Sequence, residues 1–395
     1  MNFTEYIRKK GMKLTEQQDK IANHVDGPML SLAVPGAGKT TTTCIRVGNL
    51  IFNHGIPSER ILTMTFSRAS AKDMKDRFNS IFKDLIEESN IKTHFSTIHS
   101  FAYDIVRKYY KYTEMIESKD AKENKTQILK KMYKSITGEY ITEDKYEELT
   151  TGISYIKNKI LDVNEVEDEV LLEICNVDAF REVFIRYESY KSMNGYIDYD
   201  DMLTISYNIL NSNEKILRLY RDRYDYLQLD EAQDTSNVQF SIVELLAKPK
   251  NNICYVADDD QSIYGFRASE VSYLLDFKEK YPDGIIYFME QNFRSTKDII
   301  ELANEFIKGN EKRYSKNMFT EKEYNRPLTI INVEDEKEEL NYIVEKIKEA
   351  KKFDDNAVIY RNNLLSIPLV DILYKNDIPF YIREQENKFF NHWVV

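Results

Sequence analysis

Short, nearly unbroken apolar runs alternate along the chain with stretches whose apolar positions recur every three or four residues. The first kind predicts strands buried on both faces and the second predicts helices; their alternation predicts an α/β fold around a parallel sheet. The predicted strands are Met29–Val34, Ile61–Phe66 and Lys92–Ser96, then Tyr226–Leu229, Ile253–Ala257 and Ile285–Met289. Between the two groups, residues 102–190 read as helix upon helix, rich in Lys, Glu and Tyr, with turn signals at Thr137–Gly138 and Thr151–Gly152. The simplest arrangement is a sheet domain interrupted by a helical insertion. A second sheet pattern follows, with strands predicted at Leu328–Val333 and Ala357–Tyr360. Between them Leu340, Ile343, Val344 and Ile347 recur at helical spacing. The acidic cluster Glu334–Glu339 suits the start of that helix, and Lys351 and Lys352 suit its end.

Composition changes this picture little. A chain of 395 residues, 42% hydrophobic and 31% charged, has room for two or three domains with cores of their own. No apolar run approaches the roughly 18–20 residues that span a bilayer, and the polar N-terminus does not resemble a secretion signal. Cys44, Cys175 and Cys254 are too far apart in sequence to suggest a disulfide framework or a zinc knuckle, so a reducing cytoplasm is the expected location. The net charge of −11 argues against a protein that coats nucleic acid. It leaves room for a motor on nucleic acid, which needs only a local basic path and stacking surfaces.

The candidate chemistry sits where predicted strands end. Met29–Val34 runs into residues 35–40 (PGAGKT), a strand, Gly-rich turn and Lys-Thr helix start in the manner of a phosphate loop. Gly36 and Gly38, with Ala37 between them, let backbone N–H groups approach phosphate oxygens, and the helix N-terminus adds its dipole. Lys39 would reach the outer phosphates and Thr40 would ligate Mg²⁺, with Thr41 beside it. The strict pattern fails at its first glycine, where Ala33 stands. Tyr226–Leu229 ends in Asp230 and Glu231, at the strand end where open α/β sheets bind ligands. Asp230 would hold Mg²⁺ through its water shell and Glu231 would polarise an attacking water; an acidic helix cap is the plainer alternative. Ile253–Ala257 runs into Asp258, Asp259, Asp260 and Gln261, and a glutamine after acids suits a γ-phosphate sensor. The aspartates lack the glycine and glutamate spacing of a Ca²⁺ loop.

These segments resemble the UvrD/Rep-like family of superfamily 1 DNA helicases, which commonly has alanine at the first phosphate-loop position. Residues 14–18 (LTEQQ) resemble the family's adenine-reading Q motif, with Gln18 as the reader. Residues 63–71 (TMTFSRASA) are similar to a segment that touches single-stranded DNA, with Phe66 as the base-contacting ring. Residues 97–101 (TIHSF) match a T-x-H-S-F segment, which makes Thr97 and His99 candidates for DNA contact or coupling. Residues 230–234 (DEAQD) correspond to the DExx box, 258–264 (DDDQSIY) to the sensor motif and 291–296 (QNFRST) to the motif that opens the second half. The resemblance implies that Phe293 stacks on adenine, where relatives often have Tyr. It implies that Arg294 is an arginine finger, and that Tyr264, Phe266 and Arg267 meet DNA bases. Phe266 stands where the family usually has Trp, and the smaller ring is expected to weaken that contact.

Three other segments have plainer readings. His99 and Ser100 are sequence neighbours without an evident partner acid, so a hydrolase triad is disfavoured. Residues 198–202 (DYDDM) suggest a metal-dependent nuclease, but resemble a D-F-D-D-L segment where family chains re-enter the core, which favours a structural role. The stripe 107–112 (RKYYKY) suits either DNA backbone or solvent. The expected domains are a first RecA-like ATP-binding domain at 1–103 and 196–297, an inserted helical subdomain at 104–195, and the incomplete beginning of a second RecA-like domain at 298–395. Residues 388–395 (KFFNHWVV) resemble the stretch before the family's next inserted domain, so the chain is expected to be the N-terminal part of a longer protein. The implied activity is ATP- and Mg²⁺-dependent movement along single-stranded DNA and at duplex/single-strand junctions, with 3′→5′ polarity, weak or absent in the isolated chain. No protein partner is implied. The alternatives are a nucleotide- and DNA-binding module without turnover and, more distantly, a small-molecule kinase.

Overall fold

A computed structural model describes residues 3–89, 91–112, 114–118, 123–325, 328–350 and 352–382. The chain divides into two compact units, Met1–Arg326 and Pro327–Val395.

The first unit is built on a fully parallel six-stranded sheet. Its strands are β1 (Met29–Ala33), β2 (Ile61–Thr65), β3 (His94–Thr97), β6 (Tyr226–Leu229), β7 (Ile253–Ala257) and β8 (Ile285–Met289), in the order β3-β2-β6-β7-β1-β8. A short parallel pair, β4 (Glu114–Met115) and β5 (Tyr196–Ile197), lies apart from it. All six predicted strands of this sheet form, each within two residues of its expected bounds. Their continuous apolar runs follow from burial on both faces. In β1, Leu30 and Leu32 join one core with Phe101, Ile105, Leu203 and Val243, while Met29 and Ala33 join another with Ile21, Val256 and Met289. A third core gathers Cys44, Ile45, Val47, Phe78 and Phe82.

Four helices, Lys125–Thr137, Glu143–Lys159, Asp168–Ile174 and Phe180–Asn194, surround a separate core of Leu129, Leu149, Ile153, Ile156 and Tyr187. Gly138 ends the first of them in the left-handed conformation that its turn signal implied. Thr151–Gly152 is not a turn. It lies inside Glu143–Lys159, where a Cβ on Gly152 would stand 2.7 Å from Cys175 Cβ and 3.0 Å from Phe180 Cε2, so close packing explains the glycine. Helix Ile98–Tyr109 packs in the sheet core through Phe101, Ala102 and Ile105.

In the second unit, helices Glu336–Glu349 and Ser366–Lys375 bring Val344 and Ile347 against Leu369, Leu373 and Ile378. The acidic start of the first is a helix cap: Asp335 accepts from the Glu338 N–H. The strands expected at Leu328–Val333 and Ala357–Tyr360 do not form. Neither segment has a ladder partner among the described residues, and Ile330 and Ile359 stand in solvent. An apolar run without a neighbouring strand has nothing to pair with. The segment 388–395 lies outside the described residues.

Candidate nucleotide site and nucleic-acid platform

Because every strand of the sheet points the same way, the loops that leave it gather at one rim. At the end of β1, Gly36 and Gly38 take φ of 71° and 81°, which favour glycine. A Cβ on Gly36 would also come within 3.0 Å of Arg294 Cβ and Asn292 Nδ2. Helix Lys39–Gly48 starts directly after this turn. Lys39 Nζ lies 3.1 Å from Glu231 Oε2, so the turn after β1 meets the acidic end of β6. Thr40 is the second residue of the helix, and the Thr41 hydroxyl accepts from Arg77 (3.2 Å).

Asp230 is buried, and its Oδ1 has no hydrogen-bond partner; the same holds for Asp234 Oδ1. Burial, reinforced by the Glu231 charge and opposed by Lys39, pushes the Asp230 carboxyl up to about 7 and that of Asp234 up to about 6. A buried carboxylate oxygen without a donor, beside a phosphate loop, fits a hard divalent cation. Glu231 has φ of 53°, an uncommon conformation for a side chain of its size, and strain of this kind concentrates at functional sites.

Gln18 is buried in a capping box with Thr15, and its Nε2 donates to the Ala37 carbonyl (2.9 Å), which ties the Q-motif helix to the phosphate loop. From the other side, the Phe293 N–H donates to the Gly36 carbonyl (3.1 Å). Asn292 Nδ2 donates to the Pro35 carbonyl (2.6 Å), and its Oδ1 accepts from the N–H groups of Arg294 and Ser295. The Phe293 and Arg294 side chains are exposed beside the loop.

Asp258, Asp259 and Asp260 lie close together and meet two cationic side chains of the chain itself. Lys316, only 8% exposed, contacts all three, and Arg313 makes a bidentate pair with Asp260 (2.6 and 2.7 Å). Gln261 folds back onto Asp258, donating from Nε2 to Oδ2 (2.6 Å). The residues that sequence reasoning missed here are Gln233, Asn292, Arg313 and Lys316. Only Gln233 and Asn292 carried a local signal, inside the DExx and QNFRST segments.

Along the rim, Phe66 from the end of β2 stacks on Tyr264 (centroids 5.3 Å apart, 23° between planes), and Tyr264 leans on Phe266 (6.0 Å). Arg267 lies over both Tyr264 and Phe266, at 5.4 and 5.5 Å. Phe66 is 39% exposed and Phe266 56%. Two open rings with a half-buried Tyr264 between them and a guanidinium form an aromatic, cationic row of the kind that can stack on flat ligands. Thr97 is buried and caps helix Ile98–Tyr109 by accepting from the Ser100 N–H (3.1 Å). Burial lowers the pKa of His99, opposed by the charge of Asp200.

In residues 198–202 the acids are paired with lysines. Asp198 and Asp201 cap helix Tyr199–Ser212 reciprocally and meet Lys157 and Lys191, with Lys125 also near Asp198. This buried cluster ties the inserted helices to the sheet core.

Residues 14–282 match the UvrD/REP helicase N-terminal domain, and residues 287–394 match the UvrD-like helicase C-terminal domain. The chain is 30% identical over 379 residues to the ATP-dependent DNA helicase PcrA of Staphylococcus epidermidis, covering 93% of this chain and 50% of that protein. To PcrA of Staphylococcus aureus it is 29% identical over 378 residues, with the same coverage. The chain thus spans about half the length of the curated relatives it matches.

Proposed function

We propose a function from one premise: the chain belongs to the UvrD/REP helicase family, whose N-terminal domain model covers most of its length. The chain binds Mg·ATP at the rim of its first unit and hydrolyses it, weakly by itself, in a cycle that serves movement along single-stranded DNA and at duplex junctions. The 3′→5′ direction follows from the family resemblance. The observation that carries this reading is the Lys39–Glu231 contact at 3.1 Å, on the same rim as the Phe66–Tyr264–Phe266 row.

Each residue has a task set by its chemistry. Lys39 and the N–H groups of Gly36, Ala37 and Gly38 hold the phosphates; Gln18 reads adenine and Phe293 stacks on it. Thr40 and Asp230 would hold Mg²⁺, which screens phosphate charge when bound. Glu231 polarises the attacking water and takes its proton, Gln261 senses the γ-phosphate, and Arg294 meets the charge that develops there. Phe66, Tyr264, Phe266 and Arg267 hold bases, while Thr97 and His99 support the same rim from the end of β3. We assign residues 1–103 and 196–297 to a first RecA-like domain, 104–195 to the helical insertion and 298–395 to the start of a second RecA-like domain.

Phosphate release with and without single-stranded DNA, beside nucleotide binding by calorimetry, tests this reading. Slow release with intact Mg·ATP binding is expected of the 395-residue chain. Binding without any release returns the non-catalytic module, and no nucleotide binding ends both readings.

A further inference from the structure

Both ends of the buried Gln233 amide are committed in a fixed sense. Its Nε2 donates to Glu231 Oε2 (2.7 Å), and its Oε1 accepts from the backbone N–H of Asp258 (3.1 Å). Its own carbonyl accepts from Ser262 Oγ (3.2 Å). The amide cannot turn over, because the peptide N–H only donates and the ionised carboxylate only accepts. One side chain therefore joins the loop after β6 to the loop after β7, which carries Gln261 and Tyr264.

Glu231 Oε2 receives two donors, Lys39 Nζ and Gln233 Nε2. A phosphate that draws Lys39 away leaves Gln233 holding that oxygen. The residue it holds has a backbone at φ 53°, a conformation that persists only where its surroundings enforce it. We propose that Gln233 is a positioning residue: it keeps the Glu231 carboxylate aimed once Lys39 has turned to the phosphates, and it ties that carboxylate to the sensor loop. The inference rests on the reading of Glu231 as the group that acts on the water.

The test uses ADP alone and ADP with aluminium fluoride, a mimic of the transferring phosphoryl group, each titrated by calorimetry beside a melting curve. Gln233→Met is expected to bind ADP as the native chain does, but to bind ADP with aluminium fluoride about 10- to 100-fold more weakly. Gln233→Glu keeps an acceptor for the Asp258 N–H yet offers no donor to Glu231, and is expected to show the same selective loss. Adding Gln233→Met to Glu231→Gln should cost little more than Glu231→Gln alone, since one acts through the other. A native preference for the mimic in both Gln233 variants overturns the proposal. So does a loss of ADP binding in step with the melting temperature, which would mark a purely structural residue. If Glu231→Gln itself binds both ligands as the native chain does, the role of Glu231 falls first. If Glu231→Gln is weakened and the Gln233 variants are not, only the positioning role falls.

Discussion

Lys39 and Glu231 share one ion pair, and the proposed function gives them separate tasks. Lys39 supplies a point charge to the phosphates, so Lys39→Ala is expected to lose nucleotide affinity and hydrolysis together. Glu231 acts on the water, so Glu231→Gln is expected to keep the affinity and lose phosphate release. Calorimetry beside phosphate release reads the difference, and equal loss of affinity in both variants would refute the division. The exposed rings give a second expectation. Phe66→Ala and Phe266→Ala should each weaken single-stranded DNA binding by about 1–3 kcal/mol, read by fluorescence anisotropy, with melting temperature little changed. A large melting shift with DNA affinity intact would show that the rings serve packing instead. What sequence made legible here was local: Gly36, Lys39, Asp230 and Phe66 are marked by neighbours within a few positions. Lys316 was not, because the aspartates that explain it lie up to 58 positions away in the chain.

Among the elements, the sheet strands were readable because burial on both faces leaves uninterrupted apolar runs. The same signal misled at Leu328–Val333 and Ala357–Tyr360, since an apolar run becomes a strand only beside another strand. Gly152 misled for a related reason: composition cannot distinguish a glycine that turns the chain from one that admits Cys175 and Phe180. The junction between the inserted helices and the core carries a pH dependence of its own. Burial pushes the Glu117 carboxyl up to about 7, with Asp198 and Asp200 adding to the effect and Lys125 opposing it. A carboxyl raised on folding favours the fold at low pH, and that advantage is lost as pH rises through about 7. Glu117→Gln keeps an acceptor for the Tyr199 N–H and avoids the buried charge. It should gain on the native chain by about 2 kcal/mol between about pH 5 and pH 8, read as diverging melting curves. Curves that stay parallel would place Glu117 in a solvated setting.

At the scale of the whole molecule, the residues assigned to nucleotide and DNA all belong to Met1–Arg326. A chain ending at residue 326 is therefore expected to bind nucleotide with native affinity in calorimetry, and a severe loss would mean that later residues complete the pocket. The common direction of the six strands has a further consequence. The loops that leave the sheet carry the phosphate loop, the acids and the rings, while the short loops that enter it carry none of them. His54, in the loop just ahead of β2, is exposed and has an ordinary backbone φ of −99°. This end of the protein is a natural handle: a dye, a bead tether or a fused domain joined there would report on the working rim from behind, without obstructing it.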